Sequence, residues 1–490
     1  MIQVKGLQPV WDKTIVNEEK TTARFEVATP QKRETVMQAD KPWEHGYMHY
    51  HNVIFDGEKY RMYYLTHYIW ENFRKTNGAL AGTTVCIYNS CIAYAESKDG
   101  LHWEKPVLNM CEVDGNTENN IILRSQDKPE PDGFFDNFFV FIDTNPVCPK
   151  EKKYKALAYS HLYKLSGYSS PDGIHFTLDN VFDLDGHFDT LNVCFWDNQI
   201  KRYVAYVRSF HNAPENDLNA GIRDVRRTES SDFVHWTQPE LITFNGSEDY
   251  PLYTNNIFKY YRNPDIYIGF PTRYVEHPAW SDNFEQLCGK ENRKARMQQH
   301  PRLGLTVTDC IFMSSRDGLH FDKCDEALFA PGMENSLNWG YGDGYMSYFL
   351  LETPTDDKEN TELSLFLGQL YNHGDNDGGD RVIRYTMRRD GFACYQGKYT
   401  GETLTTKPFV FDGDDLYINF STSARGSVFI TMEDEQGNQV KTCKLFGDSE
   451  HRLVHFEGAN VRDFAGKAVT LTFALSDARI YAFEFKGREK

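Results

Sequence analysis

The stretch IAYAESKDGLHWEKP, residues 92–106, contains the pattern that decides the fold, because it returns four more times along the chain. In each copy an apolar run is followed by a turn built on aspartate and then by an aromatic residue that opens a second run. Glycine permits the positive φ of such a turn, and the aspartate side chain bonds to the main chain after it. The other copies are GYSSPDGIHFTLD (167–179), RRTESSDFVHWTQP (226–239), IFMSSRDGLHFDK (311–323) and RYTMRRDGFACYQG (384–397).

A second pattern precedes each copy and supplies two more strands, because its residues alternate between apolar and polar around a turn. HNVIFDGEKYRMYYL, residues 51–65, is the clearest example. A strand-rich unit that recurs every roughly 60–85 residues is typical of a β-propeller, in which each repeat forms one blade. We therefore predict an all-β chain with a five-bladed β-propeller. The corresponding segments of the other repeats are 138–160, 191–208, 255–273 and 345–369, and the turn aspartates are Asp99, Asp172, Asp232, Asp317 and Asp390.

The pattern changes after about residue 398. The stretches KPFVFDGDDLYINFSTS (407–423), SVFITMEDEQGNQVKTCKL (427–445) and AVTLTFALSDARIYAFEFKG (468–487) alternate like strands but carry no blade turn. Short polar turns between alternating strands are typical of an antiparallel β-sandwich. We predict two domains, a propeller over residues 1–397 and a C-terminal β-sandwich over residues 398–490.

The composition excludes several classes of protein. The 490 residues carry 53 Lys and Arg against 71 Asp and Glu, a net charge of −18, which disfavours binding to nucleic acid and to anionic membranes. No apolar run of about 18 residues occurs, so no membrane-spanning segment is expected, and the amino-terminal residues lack the apolar core of a signal peptide. The ten cysteines form no CxxC pair, which indicates reduced thiols and a cytoplasmic location.

The motifs of several other chemistries are missing. The sequence has no GxSxG, no P-loop and no dinucleotide fingerprint, so acyl transfer, phosphoryl transfer and a bound cofactor are not expected. The acidic stretch NHGDNDGGDR (372–381) does not fit the spacing of a calcium loop and is interpreted as a solvated loop. Histidines at 45, 49 and 51 are expected to contact sugar hydroxyls and to bind no metal.

The repeated turns resemble the AxSxDGxHW hairpins of glycoside hydrolase families 32 and 43. Two further stretches, FDTLNVCFWDNQIKRYVAYVR (188–208) and DLYINFSTSARGSVFITMEDEQG (415–437), look like a divergent branch of the family 32-like proteins. The resemblance covers nearly the whole chain and implies a five-bladed propeller followed by a C-terminal β-sandwich. It also implies a glycosidase, although the family 32 segments WMNDPNG, RDP and ECP are absent.

Cleavage of a glycosidic bond requires two carboxyl groups, one protonated acid for the leaving oxygen and one base or nucleophile. The resemblance implies a third, which stabilises positive charge at the anomeric carbon. In a propeller the residues at the start of each innermost strand line an axial pocket, so the acids there are the candidates. We expect Glu44 or Asp136 as base or nucleophile, Asp189 as the stabilising acid, and Glu248 or Glu276 as the general acid.

Polar and aromatic residues at the same strand starts are expected to bind the substrate. Trp339 lies among glycines and offers an indole face to a sugar ring. Arg273 can bind hydroxyls or a carboxylate of the substrate. The complete set of predicted substrate-binding residues is His51, Asn137, Asn192, Tyr253, Asn255, Arg273, Trp339 and Asp343.

The sequence thus predicts a glycoside hydrolase that removes a terminal sugar from a small oligosaccharide. The resemblance favours a furanoside, such as a fructofuranoside or an arabinofuranoside. One alternative is a glycoside phosphorylase, which needs a single acid together with a cluster of Arg, Lys and His for phosphate. The other is a non-catalytic glycan-binding propeller, whose pocket would hold no close pair of acids. The partner is a small carbohydrate in each case, and a homo-oligomer is left open.

Overall fold

The computed structural model describes residues 1–66, 75–76, 79–80, 90–125, 135–160, 164–214, 220–246, 248–298, 300–335, 338–369 and 379–487. Within these ranges the chain is almost entirely β, as predicted. The α-helices there are short and follow one another in a single insertion: Asp282–Gln286, Lys290–Met297 and Arg302–Leu305. Single 3₁₀ turns are Glu18–Lys20, Pro42–Glu44, Lys150–Lys152 and Val461–Phe464.

The first three repeats each form a four-stranded antiparallel sheet whose strands are neighbours in chain order. We call them sheets 1, 2 and 3. Sheet 1 contains His49–Phe55, Tyr60–Thr66, Cys91–Ser97 and Ile121–Arg124, sheet 2 contains Phe135–Ile142, Tyr154–Ser160, Lys164–Ser170 and Thr177–Val181, and sheet 3 contains Val193–Asp197, Arg202–His211, Ile222–Ser230 and Glu240–Leu241.

Sheets 4 and 5 follow the same plan with additions from elsewhere in the chain. An extra short strand, Thr243–Phe244, runs parallel to the outer strand of sheet 4. The outer strand of sheet 5 is Gln31–Gln38, which precedes sheet 1 in sequence. The remaining strands are Phe258–Tyr260, Asn263–Gly269, Met313–Ser315 and His320–Lys323 in sheet 4, and Tyr345–Pro354, Thr361–Gln369 and Arg381–Met387 in sheet 5. Separate pairs are Thr272–Glu276 with Thr306–Cys310, and Lys75–Thr76 with Ala79–Leu80.

The aspartate turns that define the repeat have the predicted geometry. The Asp172 side chain accepts hydrogen bonds from the backbone N–H groups of Ile174 and His175, both at 2.9 Å, and lies 2.7 Å from His175 Nδ1. The next residue, Gly173, has a φ of +76°. Equivalent bonds recur at Asp99, Asp232 and Asp317. The predicted role in the turn is therefore confirmed for these four aspartates, whereas Asp390 is buried and its carboxylate accepts a hydrogen bond from the Tyr260 hydroxyl.

Each aspartate turn also packs against the sheet that precedes it. Tyr63 of sheet 1 donates a hydrogen bond to the Gly173 carbonyl in sheet 2 at 2.8 Å, and Tyr206 of sheet 3 donates to the Gly318 carbonyl in sheet 4 at 2.9 Å. Lys155 of sheet 2 lies 4.7 Å from the Phe233 ring centroid in sheet 3. Further contacts join sheet 4 to Asp390 through Arg262, and sheet 5 to sheet 1 by a parallel bridge between Tyr348 and Asn52.

Gly318 has no room for a side chain, so we expect Gly318→Ala to lower the free energy of unfolding by about 3 kcal/mol. Its φ is +74°, and an added Cβ would lie 2.5 Å from the Tyr206 hydroxyl. Gly246→Ala is the matched control, since its φ is +65° but nothing lies within 4 Å of an added Cβ. Chemical denaturation of both variants measures the difference. Equal losses would contradict the packing role of the turn.

The C-terminal sheet has ten strands and its own hydrophobic core. The two long strands Asp415–Asp434 and Ala468–Lys486 pair antiparallel along most of their length. Alternate residues of these strands, such as Ile418, Ile430 and Phe473, are fully buried, as expected for a sheet with one face against a core. The other strands are Ile2–Val4, Gly6–Pro9, Arg24–Val27, Ala393–Gly397, Glu402–Thr405, Phe409–Phe411, Gln439–Lys441 and Asp448–Val454.

The amino-terminal segment lies in this C-terminal sheet. Ile2–Val4 runs parallel to Phe409–Phe411, and Gly6–Pro9 pairs with the last long strand. Trp11 is 1% exposed and donates its indole N–H to the Asp390 carbonyl at 2.9 Å. The predicted division at residue 397 stays a prediction, and the pairing adds that both ends of the chain contribute to one sheet.

Two further observations concern the thiols and the helices. All nine cysteines within the described ranges are free thiols, and Cys288 and Cys443 are exposed. Among the described residues, no helix has both the length and the apolar character needed to cross a bilayer.

Candidate functional site

A cluster of tyrosines lies near the starts of the first strands of sheets 1, 4 and 5. The hydroxyl of Tyr50, in the first strand of sheet 1, lies 3.0 Å from the hydroxyl of Tyr253, just before the first strand of sheet 4. The Tyr253 ring stacks on Tyr345, the first residue of sheet 5, with 5.4 Å between ring centroids. Tyr274 and Tyr341 extend the group at 5.9 and 5.7 Å. We call these five residues the tyrosine cluster.

Two arginines of sheet 3 border the tyrosine cluster. Arg208 and Arg223 lie on neighbouring strands, where Arg223 is paired with Phe210. The Arg208 guanidinium lies 5.6 Å from the Tyr253 ring centroid, and that of Arg223 lies 4.3 Å from the Tyr274 ring centroid. Both arginines are at most 5% exposed. Buried cations against aromatic faces make this end of the molecule locally positive, although the whole chain carries a net charge of −18.

Asp189 meets the cluster through Arg208. Its carboxylate lies 3.2 Å from Arg208 Nη1, which also donates to the Asp189 carbonyl. The Asp189 side chain is 57% exposed, so a ligand in the solvent can reach it. The structure thus places a carboxylate, an arginine and a tyrosine face side by side.

Asp343 is the second carboxyl at the cluster, two residues from both Tyr341 and Tyr345. It is 6% exposed, and its Oδ2 accepts a hydrogen bond from the Gly340 N–H at 2.8 Å. Burial raises the pKa of Asp343 to about 7, against the lowering effect of Arg293 and Arg296. A carboxyl that holds its proton near neutral pH can act as a general acid.

His49, which the sequence predicts to contact sugar hydroxyls, lies beside Asp380 at the start of sheet 1. His49 Nε2 is 3.2 Å from the Asp380 carboxylate, and the His49 ring stacks on Tyr47. Asp380 is 4% exposed and accepts a hydrogen bond from the Met48 N–H at 3.0 Å. Burial raises its pKa well above the ordinary value for aspartate. The stretch 372–381 was expected to be a solvated loop, and this is wrong for Asp380; residues 372–378 lie outside the described residues.

His51 is fully enclosed next to this pair. Burial lowers the pKa of its imidazole to about 4, so the ring is neutral at physiological pH. Its Nε2 has no hydrogen-bond partner among the described residues. The ring packs 3.4 Å from where a Cβ on Gly368 would lie, and its predicted contact with substrate stays a prediction.

Glu44 lies in a buried polar network. It is 0% exposed, lies 2.7 Å from Lys105 Nζ, and accepts hydrogen bonds from the Tyr64 hydroxyl at 2.7 Å and from the Lys41 N–H at 2.8 Å. These contacts fill the acceptor positions of the carboxylate. They account for the burial of Glu44 without a substrate.

Glu44→Gln is therefore expected to lower the free energy of unfolding by about 3 kcal/mol, because it breaks a buried ion pair and leaves Lys105 with less negative charge. Denaturant unfolding measures the loss, and turnover per folded molecule should stay within a factor of about 2. Glu104→Gln, which changes an exposed acid one residue from Lys105, is the control and should be neutral. A large loss of turnover with little loss of stability would restore Glu44 as a catalytic residue.

Three predicted amide ligands bind the main chain. Asn137 accepts from the Tyr159 N–H at 3.2 Å, and Asn192 accepts from the Arg208 N–H at 3.1 Å. The Asn255 amide donates to the Tyr206 carbonyl at 3.3 Å. All three are at most 1% exposed and fix the start of an innermost strand. The backbone of Asp136 lies in the strand Phe135–Ile142, and its side chain is outside the described residues.

The remaining predicted residues lie at the surface, make contacts within the protein, or lie near the tyrosine cluster. Glu248 and Glu276 are exposed. Arg273 forms a bidentate ion pair with Asp309 at 2.9 and 2.6 Å. Trp339 packs on the helical insertion and donates its indole N–H to the Gly332 carbonyl at 2.8 Å. Of the predicted set, Asp189 and Tyr253 are joined through Arg208, and Asp343 lies two residues from Tyr341 and Tyr345.

The sequence did not single out the two arginines beside the tyrosine cluster. Arg208 ends the run YVAYVR, and Arg223 follows a polar turn region. A charged residue among alternating buried residues is informative, because Arg is almost never fully buried unless it is paired. The partners come from other repeats, so the sequence alone could not assign them.

A cavity of about 810 Å³ opens at the opposite end of the innermost strands. Its acids are engaged: Asp197 accepts from the Tyr267 hydroxyl at 2.6 Å, and Glu352 accepts from the Tyr261 hydroxyl at 2.6 Å. The cavity therefore has no available pair of carboxyls for bond cleavage. Its aromatic lining includes Phe55, Tyr60, Phe195, Trp196, Phe258, Tyr348 and Phe349.

No set of three or more metal-ligating side chains comes together among the described residues. His45, at the surface, lies 2.7 Å from Asp114 Oδ2.

No protein-family model matches the chain, and no curated protein matches it. An N-acetylgalactosamine deacetylase from F. plautii superposes with a TM-score of 0.42 and 10% identity, over 75% of this chain and 95% of that chain. An exo-β-1,3-galactanase from Phanerochaete chrysosporium gives 0.38 and 9%, over 94% and 100%. A family 32 β-fructofuranosidase from Bombyx mori gives 0.39 and 10%, over 98% and 97%. Similarity at this level does not place the chain in a family.

Proposed function

We propose that the chain is an enzyme that cleaves a glycosidic bond, with its active site at the tyrosine cluster. The observation that carries this proposal is that two carboxyls with different environments lie beside members of the tyrosine cluster: Asp189 pairs with Arg208, which is 5.6 Å from the Tyr253 ring centroid, and Asp343 is two residues from Tyr341 and Tyr345. Asp343 is buried and holds a proton near neutral pH, whereas Asp189 is exposed and paired with Arg208. Two carboxyls whose environments separate their protonation states are the arrangement that acid–base cleavage of a glycoside requires.

The architecture supports the proposal as well. We propose that sheets 1 to 5 are the blades of a five-bladed propeller, because contacts lead from each sheet to the next and from sheet 5 back to sheet 1. The outer strand Gln31–Gln38 then closes the ring on sheet 5. The ten-stranded sheet is the sandwich that follows it. In this arrangement the tyrosine cluster lies at one end of the central axis.

In the proposed reaction Asp343 protonates the leaving oxygen while the bond to the anomeric carbon breaks. Asp189 then acts on the opposite face, either by activating water or by stabilising the positive charge that develops on the sugar. Arg208 is a positioning residue, since it holds the Asp189 carboxylate. Tyr253 offers its ring face to the apolar side of the sugar.

Some of the residues predicted from the sequence belong to the proposed active site, and others do not. Asp189, Asp343 and Tyr253 remain, with Asp343 now the acid. Asp136 also remains a candidate for the base, because its strand begins at the same end of the sheets. The residues left out have contacts that support the fold or lie at the surface: Glu44, Asn137, Asn192, Glu248, Asn255, Arg273, Glu276 and Trp339.

Product analysis on a panel of aryl glycosides and oligosaccharides tests the proposal, with fructofuranosides and arabinofuranosides as its first members. We expect release of a monosaccharide by the wild type and retention of that activity by Asp183→Asn, which changes an acid on an exposed turn. Parallel reactions with and without inorganic phosphate identify water or phosphate as the acceptor. Stoichiometric binding of sugars without turnover would contradict an enzyme and support a glycan-binding propeller.

A further inference from the structure

Within the described part of the chain, Arg223 is a buried cation without a counter-charge. It is 5% exposed, and no residue that the structure describes accepts a hydrogen bond from its guanidinium. Its contacts are aromatic: the guanidinium carbon lies 4.3 Å from the Tyr274 ring centroid and 5.4 Å from that of Phe210. The Tyr274 hydroxyl is also buried and has no partner among the described residues. Two polar groups are thus left unsatisfied at one place.

Arg208 contacts the same Phe210 ring. Its guanidinium carbon is 4.7 Å from the Phe210 centroid, and its Nε is buried with no partner in the described part of the chain. Because Arg208 and Phe210 are two residues apart on one strand, and Phe210 is paired with Arg223 across to the next, all three lie on one face of sheet 3. Two guanidinium groups therefore flank one aromatic ring beside the tyrosine cluster.

The nearby acids do not neutralise Arg223. Asp189 pairs with Arg208, and the Asp224 carboxylate lies between Arg226 at 3.0 Å and His211 at 3.2 Å. Arg293 and Arg296 add further positive charge near Tyr341 and Asp343. Removing a charge from water is costly unless an opposite charge joins it, and ring faces offset only part of that cost. A bound anion would supply what is missing.

We propose that Arg223, together with Arg208, forms an oxyanion-binding site at the tyrosine cluster, which takes a carboxylate or phosphate group. This inference rests on the proposed function for the identity of the ligand. The oxyanion is either an acidic group of the sugar itself or inorganic phosphate acting as the acceptor. A guanidinium suits both, because its planar donors match two oxygens of either group. The Tyr274 hydroxyl is placed to donate to the same anion.

The experiment measures equilibrium binding of inorganic phosphate, of glucuronate and of neutral glucose by calorimetry, without turnover. We compare the wild type with Arg223→Gln, Arg223→Lys and Arg202→Gln; Arg202 is the exposed first residue of the strand that carries Arg208. We expect Arg223→Gln to weaken binding of the preferred anion by roughly 10- to 100-fold. Arg223→Lys keeps the positive charge but not the planar pair of donors, so its loss of anion affinity should be smaller. Arg202→Gln should bind the anion like the wild type.

Thermal unfolding without added anion gives a second readout that a merely structural arginine would not produce. Because no described carboxylate pairs with Arg223, Arg223→Gln should unfold at the same temperature as the wild type or higher. The wild type and Arg202→Gln should gain stability when the anion is added, and Arg223→Gln should not. A lower unfolding temperature for Arg223→Gln, together with unchanged anion binding, would overturn the inference.

The two sources of the oxyanion lead to different results. Preference for phosphate, with sugar release that requires phosphate, assigns the site to the acceptor. Preference for glucuronate over both glucose and phosphate assigns it to an acidic sugar. Anion binding that depends on Arg223 in a protein that cleaves no glycoside would uphold this site and refute the proposed function. Glycoside cleavage with no anion binding would refute this site and uphold the proposed function.

Discussion

Asp343→Asn should lower the turnover of glycosides with poor leaving groups by about 10³-fold, because the proposed general acid loses its proton. Asparagine has nearly the same shape and can still accept the Gly340 N–H bond through its oxygen. The fold should therefore persist. Steady-state kinetics on alkyl or phenyl glycosides measures the loss.

The leaving group provides the control for this prediction. A dinitrophenolate departs without protonation, so the corresponding glycoside should lose far less turnover in Asp343→Asn than an alkyl glycoside does. Equal losses on both substrates would contradict the role of general acid. Retention of full activity on both would remove Asp343 from the chemistry.

The pH dependence follows from the same carboxyl. Burial raises the pKa of Asp343 to about 7, so the protonated fraction and the turnover of poor leaving groups should fall as the pH rises through 7. An aspartate in the unfolded chain has a pKa of about 4. Between these values the folded protein binds a proton that the unfolded chain has lost, so this group's contribution to stability is lost as the pH rises. Thermal unfolding at pH 5 and pH 8 should show a smaller decline for Asp343→Asn.

Asp189→Asn is the second change with a large expected effect, again about 10³-fold in turnover. It removes the exposed carboxylate beside Arg208 and leaves the buried Asn192 bonds intact. Unlike Asp343→Asn, it should impair dinitrophenyl and alkyl glycosides equally, since the base or stabilising acid acts at the anomeric carbon. The same kinetic assays provide the measurement.

Asp183→Asn is matched to this variant, because Asp183 is an exposed acid whose only described ion pair is with Lys164, at 3.4 Å. It should retain wild-type turnover and stability. If Asp189→Asn also retained wild-type turnover, the base would have to be another acid, and Asp136 would be tested next. A loss of Asp189→Asn activity on the alkyl substrate alone would contradict the division of roles.

The repeat and its turns could be predicted from the sequence because their interactions are local. At Asp99, Asp172, Asp232 and Asp317 the side chain bonds to residues two and three positions later, and the residue after each adopts a positive φ. The hairpins before the turns follow from alternation, which is also local. These strands and turns were therefore accessible without a structure, whereas the outer strand of sheet 5, Gln31–Gln38, comes from before sheet 1 and was not.

The site was less accessible, because its decisive contacts join distant residues. Glu44 is occupied by Lys105, which lies 61 positions away. The Tyr50 and Tyr253 hydroxyls meet across 203 positions. Alternation reports which residues are buried but not which partners they find. For this reason the sequence pointed to acids at strand starts, of which Asp189 and Asp343 lie at the cluster and Glu44 is engaged elsewhere.

The pairing of Ile2–Val4 with Phe409–Phe411 affects the order in which the strands of the protein pair during synthesis. A ribosome adds roughly 5–20 residues per second, so the first strand waits about 20–80 s for its partner to be synthesised. Throughout that interval its backbone N–H and C=O groups are open to other chains, as in any unpaired edge. Contacts of such sequence separation also slow folding, because the loop must close before it is stabilised. Synthesis from the amino terminus allows the inner strands of each sheet to pair early, but the pairing between the two ends of the chain forms last.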